Sequence, residues 1–237
     1  MTNNYSNLID QYYTDGFVIL RDVIDAQLIQ ECREHVEFLQ KKFPSIPGEH
    51  LHHPIMRNDP FWIRLVSDPR LLDLVSIFGS SFIGSEENIA LFSSHYFCKP
   101  AKTGMPVLWH QDGNTPPVPS IRIPFFDFIH IFFLGSYWPL KPMNVLTMWL
   151  AIDDSDTENG CLQVVRGSHR EELAKLNDDI SVQNVLGSYT HRDQDIDPEK
   201  VVDIVLKPGG KCYSLSVGLP LQYISIFIFL SKQNDMF

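Results

Sequence analysis

The apolar positions in the first third of the chain recur every three or four residues, which is the spacing of one helical face. One such stripe runs from about residue 26 to residue 42 and directly follows Asp25, a residue type that caps helix N-termini. A second stripe begins at Pro69 behind an Asp68 cap, and we expect Gly79 to end it. The N-terminal third is therefore predicted to be mainly helical.

From about residue 88 the apolar period changes to two, which is typical of strands. Upstream, the Asp15-Gly16 pair already predicts a turn that leads into a short buried strand. Five further strands are predicted at residues 89–97, 107–112, 145–152, 161–166 and 201–206. Short antiparallel strands after a helical N-terminus predict an α+β domain with a mainly β core, built as a sandwich or jelly roll. We interpret the polar stretch 171–200 as a surface excursion.

Composition narrows the class of protein. The length of 237 residues fits one domain, and the net charge of −10 argues against a nucleic-acid binder. Four cysteines are widely spaced and no signal peptide is evident, so we expect an intracellular, cytoplasmic protein with free thiols. The apolar runs 121–134 and 224–230 are interrupted or too short, so no membrane span is predicted.

Two residues in the segment Leu108-Trp109-His110-Gln111-Asp112-Gly113 suggest metal chemistry. Side chains two positions apart on a strand project from the same face, so His110 and Asp112 could bind one metal ion together. A histidine from a neighbouring strand would complete a facial triad of two histidines and one carboxylate, which suits non-haem iron(II). The spacing alone is weak, since His191 and Asp193 repeat it in a hydrophilic stretch that we interpret as a solvated loop.

The wider context of His110 and Asp112 is more specific. It includes Asp15-Gly16-Phe17-Val18-Ile19-Leu20 upstream and, downstream, Trp149-Leu150-Ala151-Ile152-Asp153-Asp154, Asn159-Gly160-Cys161-Leu162 and Gly167-Ser168-His169. In this order the motifs resemble the phytanoyl-CoA dioxygenase family of iron(II)- and 2-oxoglutarate-dependent oxygenases. The resemblance covers about residues 8–113 and 136–210.

The resemblance implies a double-stranded β-helix, a cupin-like jelly roll, with helices packed on one side. It implies that His110 and Asp112 hold Fe(II) and that Trp149 lines the pocket for the co-substrate 2-oxoglutarate. Core packing remains the alternative for Trp149. The implied partners are dioxygen and a small organic or acyl substrate, and no catalytic side chain beyond the metal centre is predicted. His169 resembles the family's turn rather than a ligand, and we interpret His52 and His53 as surface residues of a loop that could border the substrate entrance.

Two segments depart from the family pattern, residues 114–135 and residues 211–237. The first inserts a proline- and phenylalanine-rich stretch, which could be a hydrophobic lid or sequence foreign to the fold. The second replaces the strand expected to carry the distal histidine and an arginine for 2-oxoglutarate, and it contains neither residue type. We interpret residues 1–210 as a single interrupted domain and 211–237 as a divergent tail.

Both departing segments have the form of translated introns. Each follows a glycine, beginning with Asn114 or Lys211, and each becomes rich in Phe, Ile and Leu toward its end. On this interpretation the β-helix is incomplete at its C-terminus, with an exposed edge beside residues 224–230, and the chain is inactive as written. The alternatives are a non-catalytic β-helix binding protein, a degenerate gene-model product or a cupin-type metal protein. The chain does not end in Ser-Lys-Leu, so peroxisomal import is unsupported.

Overall fold

The computed structural model describes residues 5–83, 90–100, 102–110, 145–171, 196–216 and 223–231. The helices are α1 (Ser6–Asp15), α2 (Ala26–Lys42), α3 (His53–Met56), α4 (Pro60–Val66) and α5 (Pro69–Ile83). The strands are β1 (Phe17–Leu20), β2 (Leu51–His52), β3 (Ala90–Lys99), β4 (Val145–Ala151), β5 (Leu162–Val165), β6 (Val201–Ile204), β7 (Lys211–Ser216) and β8 (Tyr223–Ser231).

The helix starts follow the signals in the sequence. The carboxylate of Asp25 accepts a hydrogen bond of 2.8 Å from the amide of Leu28, which confirms Asp25 as the N-cap of α2. The start of α5 at Pro69 is also confirmed, but its predicted end at Gly79 is wrong. A glycine inside a helix costs only about 1 kcal/mol, so it weakens α5 locally without ending it.

The strands form two sheets. The larger has the order β1-β7-β4-β8-β3-β2, and β5 pairs with β6 in the smaller. The predictions for β3, β4, β5 and β6 agree with the structure to within two residues at each end. The strand predicted at 107–112 is not present over residues 107–110, which are irregular, and residues 111–112 lie outside the described part.

The larger sheet separates two cores. On one side, Leu146, Met148 and Leu150 of β4 pack in a fully buried cluster with residues of α2, α4 and α5. On the other side, Ala151 packs with Phe17 and with residues of β6. The alternation along β4 therefore gives one face to the helical layer and the other to the space between the two sheets.

Strand β8 corrects the expectation for the C-terminal segment. It lies between β4 and β3 and runs parallel to both, so the larger sheet has no open edge beside residues 224–230. Because both neighbours run parallel to β8, they also run parallel to each other and leave a slot one strand wide. An extended segment rich in β-branched residues can pair with both edges of that slot, which explains why this tail joins the sheet.

Candidate functional site

One face of the larger sheet lies toward β5 and β6, and we call it the inner face. It carries Trp149, Phe97 and His95. Trp149 of β4 is partly buried there and packs on the cluster between the sheets. Its ring stacks on Phe97 of β3, with 5.3 Å between centroids and an angle of 24° between planes. His95 lies edge-on to Phe97 at 4.0 Å and is itself only 8% exposed. An aromatic wall therefore crosses the inner face from β3 to β4.

The backbone register places this wall at one level of the sheet. Residue 227 of β8 pairs with His95 on one side and with Trp149 on the other. Residues opposite one another in adjacent strands share a face, so His95 and Trp149 belong to the same row of the inner face. The sequence pattern did not single out His95, although its position two residues before Phe97 in an alternating strand could have indicated it.

His110 is held in a form suited to a metal ligand. Its Nδ1 lies 2.8 Å from the carbonyl oxygen of Leu108, and the side chain is partly buried. Donation of Nδ1–H to that carbonyl places the proton on Nδ1 and leaves Nε2 as the basic nitrogen. A histidine that binds a metal through one ring nitrogen usually donates the N–H of the other nitrogen to an acceptor of this kind. The ring of His110 therefore has the arrangement that an iron ligand needs.

The remaining predicted ligand, Asp112, lies outside the described residues, as do His191 and Asp193. Among the residues that the structure describes, no three histidine, cysteine or acidic side chains are placed to hold a metal ion. His110 and Asp112 therefore stay predicted iron ligands.

His169 has the turn role predicted from its motif. Its Nε2 lies 3.1 Å from the carbonyl oxygen of Tyr13, and the amide of Gly167 donates to the carbonyl of Asp15 at 2.8 Å. A Cβ at Gly16 would lie 2.3 Å from Nδ1 of His169, so glycine is required for this contact. The two motifs at residues 15–20 and 167–169 are thus parts of one tertiary contact.

His52 and His53 do not lie in a loop, which corrects that expectation. His52 belongs to β2, where its backbone pairs with that of His95, and His53 begins α3. Their side chains, which we predicted to lie at the surface, are outside the part that the structure describes. Sequence reasoning missed β2 because two residues carry too little periodicity to be recognised.

The opposite face of β3 carries a buried polar network. Nδ1 of His35 in α2 lies 2.9 Å from the hydroxyl of Tyr96, and its Nε2 lies 3.1 Å from Oδ1 of Asp59. Burial lowers the pKa of His35, although the hydrogen bond to Asp59 opposes that shift. Trp62 of α4 donates its indole N–H to the hydroxyl of Ser94 at 2.8 Å. These contacts attach β3 to the helical layer.

Lys99 is the cationic side chain of β3 on the inner-face alternation of His95 and Phe97. Burial lowers the pKa of Lys99, and the negative charge of Glu49 partly offsets the shift. Glu49 is itself buried and accepts a hydrogen bond of 2.8 Å from the amide of Met105. This end of β3 is therefore fixed to the segment that leads to His110.

No helix among the described residues has the length and apolar character required to cross a bilayer.

Comparison with protein families gives one match. The family model described as Phytanoyl-CoA dioxygenase (PhyH) matches residues 12–210, which is most of the chain. No curated protein sequence matches the chain. The match ends at the last residue before β7, where the sequence pattern also departs from the family.

Solved structures of low identity share the fold. The non-heme monooxygenase ThoJ in its apo form is 19% identical, with a TM-score of 0.61, and the alignment covers 90% of this chain and 72% of that one. EctD from S. alaskensis with 2-oxoglutarate and 5-hydroxyectoine is 17% identical, with a TM-score of 0.59 and coverages of 94% and 74%. The epimerase SnoN in complex with Fe3+, alpha ketoglutarate and nogalamycin RO is 16% identical, with a TM-score of 0.55 and coverages of 88% and 73%.

Proposed function

The chain belongs to the phytanoyl-CoA dioxygenase family of iron- and 2-oxoglutarate-dependent oxygenases, and from this premise we propose its site and reaction. His110 and Asp112 hold Fe(II), Trp149 lines the 2-oxoglutarate pocket, and the substrate is a small organic or acyl molecule. The observation that carries the proposal is the placement of Trp149 on the inner face, stacked on Phe97 between the two sheets.

Iron with 2-oxoglutarate and dioxygen would supply the oxidation of an unactivated C–H bond. The protein itself would hold the metal ligand and the co-substrate in position and would exclude water from the site. The carbonyl of Leu108 orients the His110 ring, and the Phe97–Trp149 stack forms an apolar wall against which a co-substrate chain can pack. Small-molecule sites in proteins are lined mostly by apolar and aromatic side chains of this kind.

We also propose that this chain binds iron poorly and is inactive as written. Residues 211–237 contain no histidine and no arginine, and the slot between β3 and β4 is filled by residues of this tail. Two ligands hold a metal less firmly than three, and a carboxylate without a cationic partner loses a charge-assisted hydrogen bond of about 1.5–3 kcal/mol. We retain the proposal that 114–135 and 211–237 are translated introns within or after a domain of residues 1–210, and that the spliced transcript lacks them.

The test is titration of the purified chain with Fe(II) and 2-oxoglutarate without oxygen, followed by succinate detection after oxygen is admitted. We expect weak iron binding that His110→Ala abolishes and that His50→Ala leaves unchanged, since His50 lies in a short 3-10 helix beside β2. Succinate formation by the wild-type chain would contradict the proposed inactivity. Iron binding that survives His110→Ala would contradict the proposed ligand.

A non-catalytic binding protein is the second candidate. It is favoured by the composition of residues 211–237, which contain neither a histidine for the metal nor an arginine for 2-oxoglutarate. Tight binding of an organic ligand with no iron requirement would support it over the oxygenase.

A further inference from the structure

Glu49 joins two segments that are distant in the sequence. It lies in the short 3-10 helix of residues 48–50, and only 5% of its surface is exposed. Its Oε1 accepts a hydrogen bond of 2.8 Å from the backbone amide of Met105, which is 56 positions away in the chain. A carboxylate is costly to bury unless it is hydrogen-bonded, so the amide of Met105 accounts for an acidic residue at this buried position.

The surroundings of Glu49 fix the carboxylate against β3. Gly48 lies so close to Cys98 that a Cβ would be 2.9 Å from the Cβ and from the carbonyl oxygen of Cys98. A Cβ at Gly104 would lie 3.5 Å from Oε1 of Glu49. The negative charge of Glu49 raises the pKa of Lys99 against the effect of burial, so the two charges lie near each other. Glu49 is therefore held between the end of β3 and the segment that follows it.

That segment carries His110. Residues 105–110 are irregular, and among the described residues the bond to Glu49 is the hydrogen bond that joins 105–109 to another element. The ring of His110 is partly buried and is held by the carbonyl of Leu108 within the same segment. The bond to Leu108 sets the ring relative to its segment, whereas Glu49 sets the segment relative to the sheet.

We propose that Glu49 is a positioning residue for His110. By accepting the amide of Met105, it fixes the segment that carries the proposed iron ligand before any metal is bound. A ligand that is already in place loses less conformational entropy on binding than one on a free segment, so the metal is held more tightly. The inference rests on the proposed function, in which His110 binds Fe(II).

The test compares Glu49→Gln, which keeps the acceptor oxygen and removes the charge, with Glu49→Met, which has a similar volume and no comparable acceptor. Glu49→Asp is the second variant in case Glu49→Met does not fold, because it keeps the charge but is one methylene shorter. The matched control is Asp25→Ala. Asp25 accepts the amide of Leu28 at the same 2.8 Å, but at the start of α2, so its loss destabilises the fold elsewhere.

The readouts do not depend on turnover. The ring signals of isotope-labelled histidine are recorded by NMR in the metal-free proteins, and the signal that disappears in His110→Ala is assigned to His110. Each protein is then titrated with Fe(II) without oxygen, and its melting temperature is recorded.

We expect Glu49→Met and Glu49→Asp to bind Fe(II) about 10- to 100-fold more weakly than the wild type, the loss that outer-shell partners of metal ligands usually cause. In their metal-free spectra the His110 ring should lose its preference for the Nδ1–H form, because a detached segment exposes the ring to water. Glu49→Gln and Asp25→Ala should keep the wild-type iron affinity and the wild-type His110 signal, even where the melting temperature falls.

An unchanged His110 signal and an unchanged iron affinity in Glu49→Met overturn the inference. Equal losses in Glu49→Gln and Glu49→Met assign the effect to the charge rather than to the hydrogen bond, which also overturns it. Equal losses in Asp25→Ala show general destabilisation and have the same consequence. A wild type that binds no iron through His110 overturns the proposed function, and the metal-free His110 signal then still decides whether Glu49 positions this residue.

Discussion

At the scale of single residues, Gly16 joins two motifs that are distant in the sequence. Its φ of +86° is a left-handed conformation that glycine adopts readily, and the His169 ring fills the space where a Cβ would be. We expect Gly16→Ala to lower the free energy of unfolding by about 2–4 kcal/mol, from backbone strain and overpacking together. Urea unfolding followed by circular dichroism measures the change.

Gly167 provides the matched control for this substitution. Its φ of +78° is similar, but no atom lies within 4 Å of the position of a Cβ. Gly167→Ala should therefore show only the strain, about 1 kcal/mol. If both variants lose the same stability, the contact between Gly16 and His169 is not significant. Gly16→Ala combined with His169→Ala should recover part of the loss, as a double-mutant cycle would reveal.

His35 predicts how stability depends on pH. Burial lowers its pKa below the ordinary 6.5, so in the range just below 6.5 the unfolded chain binds a proton that the folded chain does not. The free energy of unfolding should therefore fall as the pH drops below 6.5, with a slope from His35 of at most about 1.4 kcal/mol per pH unit. The groups that set this pKa are Asp59, which opposes the shift, and Lys42, which adds to it.

The measurement is denaturant unfolding of the wild type and of His35→Gln between about pH 5 and pH 7. Glutamine does not titrate, so the variant should have a smaller slope. A residual slope is expected from His50 and His169, whose pKa values burial also lowers. Equal slopes in the two proteins would show that His35 does not contribute.

At the scale of elements, β8 has a register that can be tested by chemistry. Residue 230 pairs with Cys98 of β3, whereas residue 224 pairs with Leu91 at the other end of the strand. Adjacent strands bring paired residues within the Cα separation that a disulfide needs, about 4.4–6.8 Å. We expect Leu230→Cys to form a disulfide with Cys98 on mild oxidation, detected by mass spectrometry of the digested protein.

Ile224→Cys is the matched control, because the same parallel register places it far from Cys98. A disulfide between Cys98 and residue 224 in place of 230 would indicate that β8 runs antiparallel to β3. The direction matters for the site, since it decides which residues of the tail stand between His95 and Trp149.

Local signals explain which elements were predictable. The caps at Asp25 and Asp59 are bonds between residues three positions apart, at 2.8 Å and 3.1 Å, so the sequence carries both partners. The alternation in β4 likewise predicts its inner face. The placement of β8 has no such signal, because its partners on β3 and β4 are far away in the chain and the tail lies outside the family match.

At the scale of the whole molecule, the proposed foreign segment leads to a prediction about stability. His110 and β4 are joined by the 34 residues 111–144, and removal of 114–135 would leave 12. A shorter connection costs less entropy to close, so the deletion should raise the free energy of unfolding by about 1 kcal/mol if the segment is foreign. Thermal and urea unfolding of the two proteins measure the difference. A loss of several kcal/mol would contradict the proposal and show that the segment is part of the core.

The sequence by itself determined the helical N-terminus, the β core and the family, because caps, periodicity and ordered motifs are local in the chain. It also indicated His110, Asp112 and Trp149 as residues of one kind of site. Only the tertiary structure decided that His95 shares the face of Trp149, and that His169 packs on Gly16. Only the tertiary structure placed the tail inside the sheet, because strand pairing depends on which edges meet in space.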